Sequence, residues 1–360
     1  MATRGQAVSG AAIPVARPIA VRRRPVALAV LGLIALGLAL VAGVALGTVP
    51  ISPADTIAVL AHRILGLDLG HGWPATTETI VMDLRLPRVL TTMLVGTGLA
   101  VAGATFQGLL RNPLADPYVL GTASGAALGA AIAVLLPVRA LIFEFGLLHG
   151  LAFIGALASV TLVYRLSRTG PLAPLTGLLL TGYAVGSLLA AGLAMAMYLS
   201  GAALPQIVGF LLGGFDASSW LRFWSAVPLV VGGSVAILLR ARSLNGLLLG
   251  EETAAHLGVD VRRERMVLLA LASLVTAACV AISGLIGFVG LVVPHLVRLA
   301  VGPNARVVLP LSALIGASLV AFADTAARLL GGIPVGIVTA VVGAPFFLYL
   351  LRRSRSEYEL

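Results

Sequence analysis

Nine stretches of this chain contain no Asp, Glu, Lys or Arg, and most are about as long as one helix crossing a bilayer. They lie between Arg24 and Asp55, Arg88 and Arg111, Asp116 and Arg139, Glu144 and Arg165, Arg168 and Asp216, Arg222 and Arg240, Arg265 and Arg298, Arg306 and Asp324, and Arg328 and Arg352. Of the 360 residues, 59% are hydrophobic and 11% charged, against about 25% charged in ordinary soluble domains. A water-exposed surface could not be covered from that composition, whereas lipid-facing side chains need no water. The fold class expected is an all-α polytopic membrane protein.

Two of the stretches are too long for one helix. Residues 266–297 break at Ser283-Gly284 and resume with a second apolar helix, Leu285 to Ala300, so they predict two crossings. Residues 169–215 predict one crossing (about 174–198) and a short helix near 205–213 that does not cross. A second crossing there would move the arginine cluster from Arg240 to Arg265 to the side opposite Arg22–Arg24. The result is about ten spans with both termini on one side. With those termini inside, 18 arginines fall on the cytoplasmic face, and only Arg63, Arg85, Arg88, Arg139, Arg222 and Arg328 fall outside, as the positive-inside rule requires. The expected location is the inner (cytoplasmic) membrane of a bacterial cell. Residues 1–24 predict a disordered basic tail, 25–353 one transmembrane domain, and 354–360 a C-terminal cytoplasmic tail. The first apolar run is too long for a signal-peptide core and lacks a good cleavage site, so it reads as an uncleaved span.

The net charge of +10 does not point to nucleic acid, because the arginines sit in short clusters between apolar runs and no aromatic stacking surface accompanies them. All 24 basic residues are Arg. A phosphate-binding Walker loop needs its Lys, so the chain cannot itself be a P-loop ATPase. Lone Cys279 can form no intrachain disulfide. An ion-coupled secondary transporter is the alternative reading. It would need ionisable groups at mid-membrane, and here the acids fall at span ends or in loops. Neither paired carboxylates nor a metal-ligand cluster interrupts a span, so no catalytic residue, metal site or cofactor is expected.

Three segments carry more than hydropathy. Arg85-Leu86-Pro87-Arg88 is followed after one span by Asn112-Pro113-Leu114-Ala115-Asp116-Pro117. Residues Leu249 to Asp260 form the core of the long polar stretch 244–265, in which Gly250, Glu251, Glu252, Ala254, Ala255, His256 and Leu257 describe a short helix ended by Gly258. Gly287-Phe288-Val289-Gly290-Leu291-Val292-Val293-Pro294-His295 leads on to Asp324, Arg328 and Ile333-Pro334-Val335-Gly336. Asp324 and Arg328 are spaced to pair along one helix, and outer arginines can also snorkel to head groups.

In this order the segments resemble the FecCD/BtuC-type permease family of ABC importers for iron-siderophores, haem and vitamin B12, over residues 26–353. The resemblance implies a ten-helix subunit working as a homodimer, with two separate ABC ATPase subunits that bind the ATP and an extracytoplasmic substrate-binding protein. It implies that 250–258 is the helix coupled to the ATPase and that Arg85, Arg88 and Arg328 dock the binding protein. It also places Asn112 and Leu114 near a cytoplasmic gate facing Pro171–Thr176. The cargo implied is a metal chelate, with iron chelates favoured. The stretch Leu329–Ile333 is shorter than the family pattern and lacks its usual acid. Cysteines placed at positions 20, 250 and 356 are expected to label from the cytoplasmic side and one at 70 from outside; outside labelling of 250 would break the ten-span parity.

Overall fold

The computed structural model describes residues 24–358, apart from residue 48 and residues 68–71, 137–145 and 169–174. The N-terminal tail and most of the Pro171–Thr176 loop therefore lie outside the described residues. The helices, in chain order, are α1 (Arg24–Ala45), α2 (Pro53–Leu65), α3 (Ala75–Thr79), α4 (Leu86–Leu109), α5 (Thr122–Leu135), α6 (Gly146–Ser167), α7 (Leu175–Leu199), α8 (Leu204–Leu212), α9 (Trp220–Leu239), α10 (Ala241–Leu248), α11 (Glu251–His256), α12 (Val261–Ser283), α13 (Val289–Val301), α14 (Ala305–Leu329) and α15 (Val335–Tyr358). A π-helical segment, Ile80–Arg85, joins α3 to α4 without a break. Among the described residues, seven helices are long and apolar enough to cross a membrane. The shorter apolar helices α5, α13 and the first part of α15 occupy the other three expected spans, and α8 is the expected short helix.

Two boundaries differ from expectation. The helix after Gly284 resumes at Val289, not Leu285. Gly284 has φ +67°, and a Cβ there would run into the Phe210 carbonyl of α8, so the chain must turn. The irregular residues 284–288 still find partners, as buried backbone must. Leu285 N–H donates to Phe210 O (3.3 Å), and the Tyr118 hydroxyl donates to Ile286 O (3.0 Å) while accepting from Ile286 N–H (3.2 Å). At the C-terminus α15 continues to Tyr358, through the start of the expected tail; Arg, Ser and Glu at 352–357 do not oppose a helix.

The core is built around α4, in which 20 of 24 residues are buried. Such a helix has no polar face to offer and is surrounded by others. α12 packs on one side through Gly98, whose missing side chain leaves room for Cys279, Val230 and Val275. α14 crosses α4 backbone to backbone at Gly96 and Gly316: a Cβ on either would strike the carbonyl of the other. α13 crosses at Gly103, where a Cβ would run into Gly290 O. α5 and α6 form a second close pair through Gly125 and Gly155. Lipid offers helices no hydrophobic drive to associate, so close van der Waals contact at small residues does that work. By contrast, α1 exposes Val30, Leu31, Leu33, Ile34 and Leu38.

These crossings predict a graded response. Gly103→Ala should destabilise the protein by ~1–3 kcal/mol through overpacking, read as an earlier thermal unfolding transition in detergent. Gly37→Ala, on an exposed part of α1 with nothing within 4 Å of the added carbon, should leave the transition unmoved. Equal effects would show that the backbone crossing does not hold the bundle.

Candidate functional site

At one end of the bundle the C-terminus of α1, the N-terminus of α4 and the C-terminus of α14 are clasped by arginines. The last carbonyls of α1 have no helical partner and lie at the negative end of its dipole. Arg85, only 7% exposed, donates from Nη1 to Val44 O and Ala45 O (both 2.8 Å) and from Nη2 to Val49 O. Arg328 donates to Gly43 O (2.7 Å) and Leu46 O (2.8 Å). Its Nε also reaches Asp324 Oδ2 at 3.1 Å, the pairing that their spacing allowed. Asp324, with its side chain 1% exposed, takes Nη2 of Arg88 on Oδ1 (2.8 Å) and Nε on both oxygens (3.1 Å). The remaining reach of Arg88 is outward, from Nη1 to Asp216 Oδ1 at 2.8 Å, and that carboxylate is 88% exposed.

This geometry gives the three arginines expected to dock a binding protein different partners within the chain. Arg85 and Arg328 are committed to α1, and Arg88 alone holds a partner at the surface. The buried and exposed carboxylates should also differ in weight. Asp324→Asn leaves two arginines facing a neutral partner and should cost ~3–5 kcal/mol, as breaking a buried pair does. Asp216→Asn removes a surface pair and should cost ~0–1 kcal/mol. Thermal unfolding of the two variants checks this order, and similar midpoints would refute it.

At the opposite end lie the C-terminus of α4, the N-termini of α12 and α14, and the segment α10–α11. The short helix expected before Gly258 is α11, and a second one, α10, precedes it, because the chain leaving α9 turns at Arg240 and runs straight into α10. Leu244 of α10 packs over Gly108 of α4. Gly250, at φ +111°, precedes α11, and Gly258, at φ +80°, follows it, conformations that favour glycine. Glu251 is joined to Arg265 of α12 at 2.9 Å. Ala254 is fully buried against the segment's own residues, whereas Glu252, Ala255, His256 and Leu257 face outward. Leu249 and Leu257, 65% and 64% exposed, flank α11 as apolar knobs. The arrangement is a short helix held rigidly from behind and open in front.

The loop between α4 and α5 lies partly inside the bundle. Asn112 is exposed and its Oδ1 accepts Leu114 N–H at 2.9 Å, fixing the turn after Arg111, whose φ is +48°. Leu114 is half-buried. Pro117 then packs on Gly290 of α13, and a Cβ at Gly182 of α7 would meet Val119 O. Burial pushes the Asp116 carboxyl up to about 6, although the Tyr118 N–H it accepts pulls the other way. Asn112 and Leu114 are therefore anchored next to residues tied to α13 and α7. The expected facing loop lies outside the described residues at 169–174.

Sequence reasoning passed over three residues that join elements. Gln107, fully buried, donates to Leu291 O at 2.9 Å. Tyr118 holds residue 286, as described above. Asn245 of α10 accepts from Ala305 N–H (2.7 Å) and donates to Asn304 Oδ1 (2.9 Å). Only Asn304 had a local signal, as a helix-capping residue just before α14. The partners of the other three are remote in sequence.

The comparisons with known proteins agree with this organisation. The model of the FecCD transport family matches residues 33–353. The cobalamin import system permease protein BtuC of Halobacterium salinarum is 47% identical over 301 residues, covering 83% of this chain and 79% of the relative. The hemin transport system permease protein HmuU of Yersinia pestis is 43% identical over 303 residues, covering 81% and 90%. A solved inward-facing structure of a metal-chelate type ABC transporter superposes with a TM-score of 0.77 at 30% identity, over 92% of this chain and 99% of that one. With its helical order, its motifs and nearly its whole length matched, the chain belongs to the FecCD transport family of ABC importer permeases.

Proposed function

We propose that this permease works as one of two identical subunits in the cytoplasmic membrane, imports a metal chelate, and is driven by two ABC ATPases that seat on residues 250–258. The observation that carries the reading is α11. It presents Glu252, Ala255, His256 and Leu257 outward while Glu251 ties its base to Arg265. A motor can push only against a rigid handle, and this helix is the one so mounted at the arginine-rich end. The orientation is supported by the distribution of the arginines under the positive-inside rule. The cargo class follows from the relatives, which carry cobalamin and hemin.

The second copy is supported by α7. Its outward face mixes Tyr183, Ser187, Met195 and Tyr198 with Leu180 and Leu188, unlike the Val, Leu and Ile that α1 shows. A mixed face with small residues suits a protein neighbour or a wet pathway better than acyl chains. At the arginine-poor end, docking of the binding protein would run through Arg88, by exchange of the exposed Asp216 for a carboxylate of the partner. Ion coupling is disfavoured, because buried Asp324 is neutralised by Arg88 and Arg328.

Ala255→Arg tests the proposal. The side chain is exposed, so the variant should insert and unfold like the parent. Co-purified with its ATPases, it should retain at least about tenfold less of them, equivalent to ~1.4 kcal/mol of binding. Deleting 251–257 should abolish retention. Normal ATPase retention and normal uptake by the deletion variant would sink the coupling role.

A further inference from the structure

We propose that Asn245 is the positioning residue through which movement of the ATPase-facing segment reaches α14, and through α14 the far end of the bundle. This rests on the coupling role given above to residues 250–258. The first turn of a helix leaves backbone N–H groups without helical acceptors. In α14 two of them are met by different residues. Asn304, the capping residue, accepts Arg306 N–H on its own Oδ1 at 3.1 Å. Asn245, 60 positions earlier and on another helix, accepts Ala305 N–H at 2.7 Å, and its Nδ2 donates to Asn304 Oδ1 at 2.9 Å. One amide side chain thus completes the cap of α14 and holds the capping residue itself. α10 cannot shift along or away from α14 without breaking both bonds.

The contacts at this end differ in kind. Leu244 over Gly108 is an apolar contact that can slide. The Glu251–Arg265 ion pair fastens α11 to α12 and does not reach α14. The Asn245 clasp is short, two-point and made directly to a helix backbone. α14 is then one continuous helix of 25 residues with Pro310 in its second turn, about 38 Å long at 1.5 Å per residue, and is held at its middle by the Gly96–Gly316 crossing. Near its other end stands Asp324, which holds Arg88 and, through it, Asp216. A displacement entering at Asn245 therefore arrives where α1, α4 and the α8–α9 connection are fastened.

The experiment uses single spin labels on the permease assembled with its ATPases in lipid vesicles. Native Cys279 is buried, so an added cysteine labels selectively. One label replaces exposed Glu252 on α11 and another replaces exposed Arg306 at the start of α14. In the parent, ATP with vanadate should change both spectra. With Asn245→Ala, the response at 252 should persist and the response at 306 should be lost. Asn304→Asp keeps an acceptor for both Asn245 Nδ2 and Arg306 N–H, and should preserve both responses. A purely capping role for Asn245 predicts a lower unfolding midpoint with the response at 306 intact, and that result would overturn the proposal. Silence at both positions in the parent would instead overturn the coupling role of 250–258, and this inference with it.

Discussion

Backbone-to-backbone contact through glycine is the constraint on which the rest of this bundle depends. Within lipid, hydrophobic burial cannot choose between helix–helix and helix–lipid contact, since both are apolar. Proximity decides, and proximity is set by what stands between two backbones. At Gly96–Gly316, Gly103–Gly290 and Gly125–Gly155 nothing does. α4 can therefore touch α12, α13 and α14 at once and bury nearly all its length. The short helices follow from the same packing. α5 and α13 need not span the bilayer alone, because the irregular residues before each are enclosed by protein and satisfied by it, as Tyr118 does for Ile286.

With the apolar middle settled by shape, charge is confined to the two ends and does a different job at each. At one end, cations are drawn to the carbonyls that α1 leaves open, and two arginines share one buried carboxylate. This arrangement is costly to break from one side and so fixes the relative height of three helices. At the other end, the polar contacts join a surface segment to helix N-termini, where backbone N–H groups seek acceptors. The first end fastens helix to helix; the second fastens a surface segment to the bundle. α14 takes part in both, and α4 lies between them.

The geometry separates three arginines that the sequence left together. The resemblance treated Arg85, Arg88 and Arg328 alike, because they share a residue type and an end. The structure separates them by partner: carbonyls for Arg85, a carboxylate and carbonyls for Arg328, a buried and an exposed carboxylate for Arg88. The stretch Leu329–Ile333 lies directly after this clasp. Leu329 and Leu330 are 57% and 65% exposed, so this turn presents apolar side chains beside the arginines.

The sequence by itself determined the fold class, the number and order of spans, the short helix near 205–213 and the position of the polar segment that carries α11. Each is a local property: a charge-free run, a glycine break or a cluster of arginines is visible wherever the chain is read. The family was legible for the same reason, since its motifs are contiguous. Tertiary structure alone decided where α13 begins, because the block is the Phe210 carbonyl of a helix more than seventy positions away. It decided that Asn245 belongs to α14 and that Asp324 serves two arginines, one of them on α4. Hydrogen bonds and close crossings between remote residues leave no periodic trace in sequence. They depend on which helices meet, and that is settled only when the glycines have brought the backbones together.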